Sequence, residues 1–146
     1  MKINDKMYDI IFLGLAQNCE KFLTNFFDRV DEIASLKKIK VLIGENNSND
    51  NTFDVIQKKI ITHDHYKMID TTIIEKFDDR IKRLATARQL LKNNILQLNL
   101  RSKYICVVDL DDVLNEEFNI NLINNLTKIL SNNRNKYFGI SVSSKP

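Results

Sequence analysis

Short apolar runs alternate with amphipathic stretches along this chain, and few folds accept that order. Tyr8–Leu15 is a compact run rich in β-branched and aromatic residues, the pattern of a buried strand. Phe22, Leu23, Phe26, Phe27, Val30, Ile33 and Ala34 then recur at helical spacing and predict an amphipathic helix over about residues 20–36. Lys40–Gly44 reads as a second strand, followed by a helix from Phe53 to about Ile60 that Asp50 or Thr52 can cap. Tyr66–Ile74 alternates as a third strand. Asp78 or Asp79 can cap a long helix running to about Leu98. Ser102–Asp109 carries the strongest strand signal, and Phe118–Leu130 is a further amphipathic helix. Phe138, Ile140 and Val142 alternate as a last strand. The order β-α-β-α-β-α-β-α-β predicts an α/β fold, a mostly parallel sheet with helices on both faces and right-handed crossovers.

A length of 146 residues fits one domain spanning residues 1–146. With 43% hydrophobic and 28% charged residues, disorder is excluded as the main state, and 3 Gly with 1 Pro exclude collagen-like and Pro-rich architectures. The net charge of +3, without a long basic run and without Trp, argues against a nucleic-acid partner. No stretch reaches the roughly 18 apolar residues of a membrane span. The apolar block Ile10–Ala16 is too short, and too acidic just upstream, for a signal peptide, so a cytoplasmic location is expected. Cys19 and Cys106 form neither a CxxC nor a Cys/His cluster. Cys106 falls in a predicted strand and reads as core packing. His63-Asp64-His65 has the His-x-His spacing of a zinc pair but no third ligand nearby, and reads as an ordinary loop.

Ligands of such sheets sit at the carboxyl ends of the strands. That rule selects three loops: the one after Leu15, Glu45–Thr52, and Asp109–Val113. The last delivers Asp109, Asp111 and Asp112 within four residues of an apolar strand's end. Carboxylates this close repel one another unless a cation or water lies among them, and hard oxygen ligands suit Mg2+ or Mn2+. The plainer reading makes Asp109 a strand end and the others a helix cap. Glu45-Asn46-Asn47-Ser48-Asn49-Asp50-Asn51-Thr52 is equally a polar turn or a ligand loop. Arg80, Arg83 and Arg88 share one predicted helix whose apolar face holds Ile81, Leu84, Leu91, Ile95 and Leu98. Arg80 and Arg83 near its start favour an anion, while Arg88 projects into the apolar face and needs a carbonyl or carboxylate partner.

In this order and spacing, the chain resembles the nucleotide-sugar-binding half of Rossmann-like GT-A glycosyltransferases. The matching parts are the loop Gly14-Leu15-Ala16-Gln17-Asn18, the Glu45–Thr52 loop, the helix Arg80-Ile81-Lys82-Arg83-Leu84-Ala85-Thr86-Ala87-Arg88-Gln89, and the DxD motif Asp109-Leu110-Asp111. The Glu-Asn-Asn-Ser loop and Arg-Leu-Ala helix look most like capsule-type α-1,3-mannosyltransferases, with family-two enzymes nearly as close. Gln89 stands where that family usually has Asn. The resemblance implies that Ala16, Gln17 and Asn18 lie along the nucleotide and that Glu45 or Asn46 contacts the base. It implies that Arg80 and Arg83 reach the base or diphosphate, that Arg88 braces the DxD loop, and that Leu110 belongs to the donor site. Asp109, Asp111 and Asp112 would hold Mn2+ or Mg2+. The partners implied are a nucleoside-diphosphate sugar and a glycan or protein acceptor. GT-A domains continue well beyond the point reached at Pro146, so the resemblance covers the donor half and implies a truncated fold. A homodimer or a partner chain would then supply the acceptor half, and a catalytic base is not assigned.

Two other readings stand beside this one. Asp109-Leu110-Asp111-Asp112-Val113-Leu114 also resembles the nucleophile motif of haloacid-dehalogenase-like phosphatases. That motif opens its fold and needs a later Asp pair, whereas no Asp follows Asp112 and only Glu116 and Glu117 remain as acids. The other alternative is a catalytically inactive nucleotide-binding or interaction module built on the same sheet.

Overall fold

A computed structural model of the chain describes residues 7–110 and 118–141. The described residues form strands β1 (Met7–Ala16), β2 (Ile39–Glu45), β3 (Tyr66–Asp70) and β4 (Arg101–Asp109). Helices α1 (Glu20–Ala34), α2 (Thr52–Thr62), α3 (Arg80–Gln97) and α4 (Ile120–Asn132) alternate with them. All strand pairs are parallel, in the order β3-β2-β1-β4. This is a Rossmann-like α/β arrangement, as the alternation predicts. Among the described residues no helix is long and apolar enough to cross a membrane.

Parallel strands buried on both faces need continuous apolar runs, and β1 supplies one. Its Ile10, Phe12 and Ala16 join Leu23, Phe26, Val30 and Ile33 of α1, Ile56 of α2 and Ile123 of α4 on one face. Ile11 and Leu13 pack on the other face with Leu42, Ile69 and two α3 residues, Leu91 and Ile95. A one-residue slip would exchange these two sets, so burial on both sides fixes the register in which Phe12 lies beside Val41 and Cys106. Burial pushes the Cys106 thiol up to about 11, in keeping with a packing role.

Three expectations are corrected. The third strand stops at Asp70, and Thr72–Lys76 form a short 3-10 turn instead. Thr71 ends the strand by donating both its N–H (3.0 Å) and its hydroxyl (2.8 Å) to the Glu45 carbonyl, while the Asp70 carboxylate accepts the Thr72 N–H. The alternation at Phe138 and Ile140 does not become a strand. Phe138 is fully exposed and Ile140 partly so, so neither is buried as the pattern needs, and Val142 lies outside the described residues. Finally, α3 buries Ala87, Leu91 and Ile95, while Ile81 is exposed. The helix is rotated so that Arg88 lies on its flank and not in its apolar face, which spares a guanidinium the cost of burial.

Candidate functional site

Because β1 leads to β2 on one side and β4 pairs on the other, the strand order reverses direction between β1 and β4. Crevices in open parallel sheets form at such a reversal, outside the carboxyl ends. Three segments reach this edge from the β1–β2 side and α3.

The first two, residues 16–20 and 45–52, are knitted together. The Asn46 N–H donates to the Ala16 carbonyl (3.1 Å) and Gln17 Nε2 to the Asn46 carbonyl (3.1 Å). Asn18 donates its N–H to Ser48 Oγ (3.0 Å), and its side-chain oxygen accepts the Asn49 N–H (2.7 Å). The buried Cys19 N–H donates to Thr52 Oγ1 (2.9 Å). The Glu20 N–H reaches Asp50 (3.2 Å), while Glu20 accepts the Asn51 N–H and side-chain amide. Asn18 and Asn47 take left-handed backbone angles (φ 51° and 46°), which Asn tolerates better than most residues. Glu45 is buried, and its carboxylate accepts the N–H groups of Asn47 (3.1 Å) and Ser48 (2.8 Å). Of the two residues expected at the base, Glu45 therefore folds the loop.

Asn46 is different. It is only 6% exposed, and its side-chain oxygen has no hydrogen-bond partner. A buried acceptor without a donor costs about 1–3 kcal/mol, and native structures rarely keep one without a use. Neither composition nor spacing distinguishes Asn46 from its Asn neighbours. Placing Ala16 and Gln17 against its backbone does.

Close approach shapes the rest of the edge. A Cβ on Gly44 would lie 2.9 Å from Leu15 Cδ2 and 2.9 Å from Thr71 Cγ2, and 3.3 Å from Leu91 Cδ2. Leu91 is thus level with the end of β2. The first two turns of α3 precede Leu91 and so extend about 10 Å along the helix axis from the level of the β2 end. Arg80 is exposed there, and Arg83 Nε donates to the Phe77 carbonyl. The helix start itself is filled, since the Asp79 carboxylate accepts the Ile81 and Lys82 N–H groups. An anion here would meet the Arg80 and Arg83 side chains rather than bare helix amides.

At the end of β4, the Asp109 carboxylate is exposed and lies 3.5 Å from Arg88 Nη2. Leu110 turns inward and is 1% exposed, seated where a Cβ on Gly14 would lie 3.0 Å from its Cδ1. Only its backbone is left for a ligand. Ala16 is likewise buried, with its carbonyl taken by Asn46. Asp111, Asp112, Glu116 and Glu117 lie outside the described residues. Among the described residues no group of three or more His, Cys, Asp or Glu is arranged to hold a metal.

Two further features lie near this edge. An open groove of about 590 Å³ runs between the starts of α1 and α2, lined by Asn18, Glu20 and Asp50 of the knitted loops and by Lys21, Thr24 and Val55. His63 and His65 both turn to Asp31 of α1, with Nε2 atoms 3.7 and 3.2 Å from its oxygens. Lys59 pairs with the same carboxylate, and the Tyr66 hydroxyl donates to it (2.7 Å). Burial pushes this carboxyl up, but Lys59, Tyr66 and His65 outweigh it and hold it below its ordinary value. The histidines thus belong to a charge cluster joining α1, α2 and β3, a partnership that their sequence separation from Asp31 conceals.

No protein-family model matches this chain, and no curated protein matches it as a relative.

Proposed function

We propose that the carboxyl edge binds a nucleoside-diphosphate sugar and serves as the donor site of a metal-dependent glycosyltransferase. The observation that carries this reading is the unpartnered, buried Asn46 oxygen at the carboxyl end of β2, where the loop meets Ala16. The ring N–H of uracil or guanine is a donor of the kind it lacks, and because the atom is enclosed the base reaches it only as the 45–52 loop opens. Arg80 and Arg83 in the first turns of α3 supply positive charge for a diphosphate. Asp109 and, beyond the described residues, Asp111 and Asp112 are hard oxygen donors that suit Mn2+ or Mg2+. Such an ion, when bound, neutralises the charge that develops on a departing nucleoside diphosphate. Arg88 lies beside the Asp109 carboxylate at the strand end, in an exposed pair that a cation can displace. The knitted loops hold Asn46 without drawing on its side-chain oxygen.

Calorimetric titration of UDP and GDP, with and without Mn2+, tests the proposal. Metal-dependent binding of one nucleotide is expected, lost in Asp111→Ala. Asn46→Leu separates site from scaffold: it should weaken binding roughly tenfold or more while leaving the unfolding temperature unchanged or higher, because it removes an unsatisfied acceptor. A folded protein that binds neither nucleotide overturns the reading. One observation favours the second reading, an interaction module: Ile105 and Val107 of β4, in register with Ile11 and Leu13 on the face that α3 covers over β1 and β2, are exposed.

A further inference from the structure

The amino end of the sheet, opposite the proposed donor edge, carries a concavity of its own. A cleft of about 260 Å³ opens where the first residues of β1 and β4 meet α4 and the turn after α1. Ile10 and Tyr104 line it from the two strands. α4 presents Asn124, Thr127, Lys128 and Ser131, the spacing of one helix face. Lys37 and Lys103 complete it, so three lysines far apart in sequence share one small cleft with one carboxylate, Asp9.

Asp9 is engaged on both oxygens. Oδ1 accepts Lys103 Nζ (2.7 Å) and Oδ2 accepts the Lys38 N–H (3.0 Å). The Lys103 hydrogen bond, then that of the Lys38 N–H, hold its carboxyl below its ordinary value. Among the described residues Lys37 and Lys128 are in no ion pair. Three lysines against one aspartate leave two positive charges in excess. The hydroxyls already donate inward: Thr127 to the Ile123 carbonyl (2.9 Å), Ser131 to that of Lys128 (3.2 Å) and Tyr104 to that of Thr127 (3.3 Å). The donors left to a ligand are the ammonium groups and the Asn124 amide. A carboxylate would neutralise half of the excess charge, whereas a phosphate, with a charge near −2, neutralises all of it. Lysine serves such groups as a point charge. The C-terminal ends of α1 and α4 point here, and their dipoles oppose an anion. Several of their last carbonyls are taken, that of Ile33 by the Leu36 and Lys37 N–H groups and that of Ile129 by the Asn133 amide.

We propose that this cleft binds a phosphate dianion, free or as the monoester of a small molecule, with Lys37 and Lys128 as its charge partners and Lys103 held beside it by Asp9. The site shares no residue with the carboxyl edge and does not depend on a nucleotide binding there.

Amide shifts of the full chain test this, titrated at constant ionic strength with inorganic phosphate and with glycerol 3-phosphate at about pH 8, where both are dianions. Saturable shifts are expected at Lys37, Asn124 and Lys128. Lys37→Gln combined with Lys128→Gln should weaken binding roughly tenfold, as the loss of two partly screened charges implies. Lys58→Gln combined with Lys92→Gln makes the same change of charge at exposed sites on α2 and α3 and should leave binding unchanged. Tighter binding of the ester assigns the cleft to a phosphomonoester, and tighter binding of the ion assigns it to free phosphate. A folded protein with no saturable shifts at the cleft overturns the proposal. So does binding that the two double variants weaken equally.

Discussion

The loop after β2 and the end of β4 reach the same edge of the sheet, and they are held in opposite ways. In residues 45–52 Ser48, Asp50 and Thr52 bond the segment 18–20, and Glu45 bonds the loop's own Asn47 and Ser48. Among described contacts, the β4 end is tied by the buried Leu110 side chain and one exposed ion pair, Arg88–Asp109. The difference teaches where ligand capacity resides. A dense run of Asn, Asp and Ser looks like a binding loop, but here its hydrogen bonds are used on itself. What it leaves over is one acceptor, Asn46 Oδ1. The sparser end keeps its carboxylate exposed.

If the loop is a self-satisfied scaffold, its buried anchor should be its most sensitive point. Glu45→Gln replaces one of two acceptor oxygens by a donor, so the Asn47 or Ser48 N–H faces an NH2 group. The expected loss is about 2–3 kcal/mol, since both bonds run to a buried carboxylate. Denaturant unfolding measures it, and a loss below that of Thr52→Val would show that Glu45 is not the anchor. Thr52→Val keeps the shape but leaves the buried Cys19 N–H without its acceptor. About 1–2 kcal/mol should be lost, read in the same experiment.

Acid gives a milder way to loosen the knit. The Asp50 carboxyl is held below its ordinary value chiefly by the Thr52 hydroxyl, and further by the Thr52 and Glu20 N–H groups. A depressed carboxyl adds stability above its unfolded pKa of about 3.9, and that stability is lost as pH falls through the folded value. Amide exchange at Glu20 and Thr52 should therefore be protected near neutrality and lose protection below about pH 4. Protection that persisted at the lowest pH reached by the folded protein would remove Asp50 from the network.

The strands and helices were legible because each rests on its own periodicity. Tyr8–Leu15 and Ser102–Asp109 needed no partner to be read. The pattern at Phe138 and Ile140 was just as regular, yet neither residue is buried as such a pattern needs, and alternation carries no information about that. The rotation of α3 was hidden for a related reason: Ile81 and Leu84 fit an apolar stripe as well as Ala87 does, and contact with Ile11 and Leu42 decides between them. At the candidate site, residue types pointed to loops at the carboxyl edge but not to their division of labour. Thr52 as an acceptor for Cys19 and the burial of Asn46 against Ala16 and Gln17 depend on contacts between segments about thirty residues apart, and Glu45 as an anchor depends on a loop conformation that composition does not specify. Isolated polar residues leave no periodic trace of such contacts.

The smallest expected effect completes the contrast. Arg88 and Asp109 are both substantially exposed, and their closest approach of 3.5 Å is long for a charge-assisted hydrogen bond. Solvent screens such a pair, and ordering two exposed side chains offsets much of the attraction. Arg88→Ala should therefore change stability by no more than about 0.5 kcal/mol, several-fold less than either loop substitution. The helix propensity of Ala works in the same direction. Unfolding curves for Arg88→Ala and Thr52→Val, recorded side by side, decide the matter. If the two losses are equal, the end of β4 is as firmly tied as the loops and the division between scaffold and exposed carboxylate disappears. If Arg88→Ala is neutral, Asp109 is held by a contact weak enough for a cation to replace, which the proposed donor site requires of it.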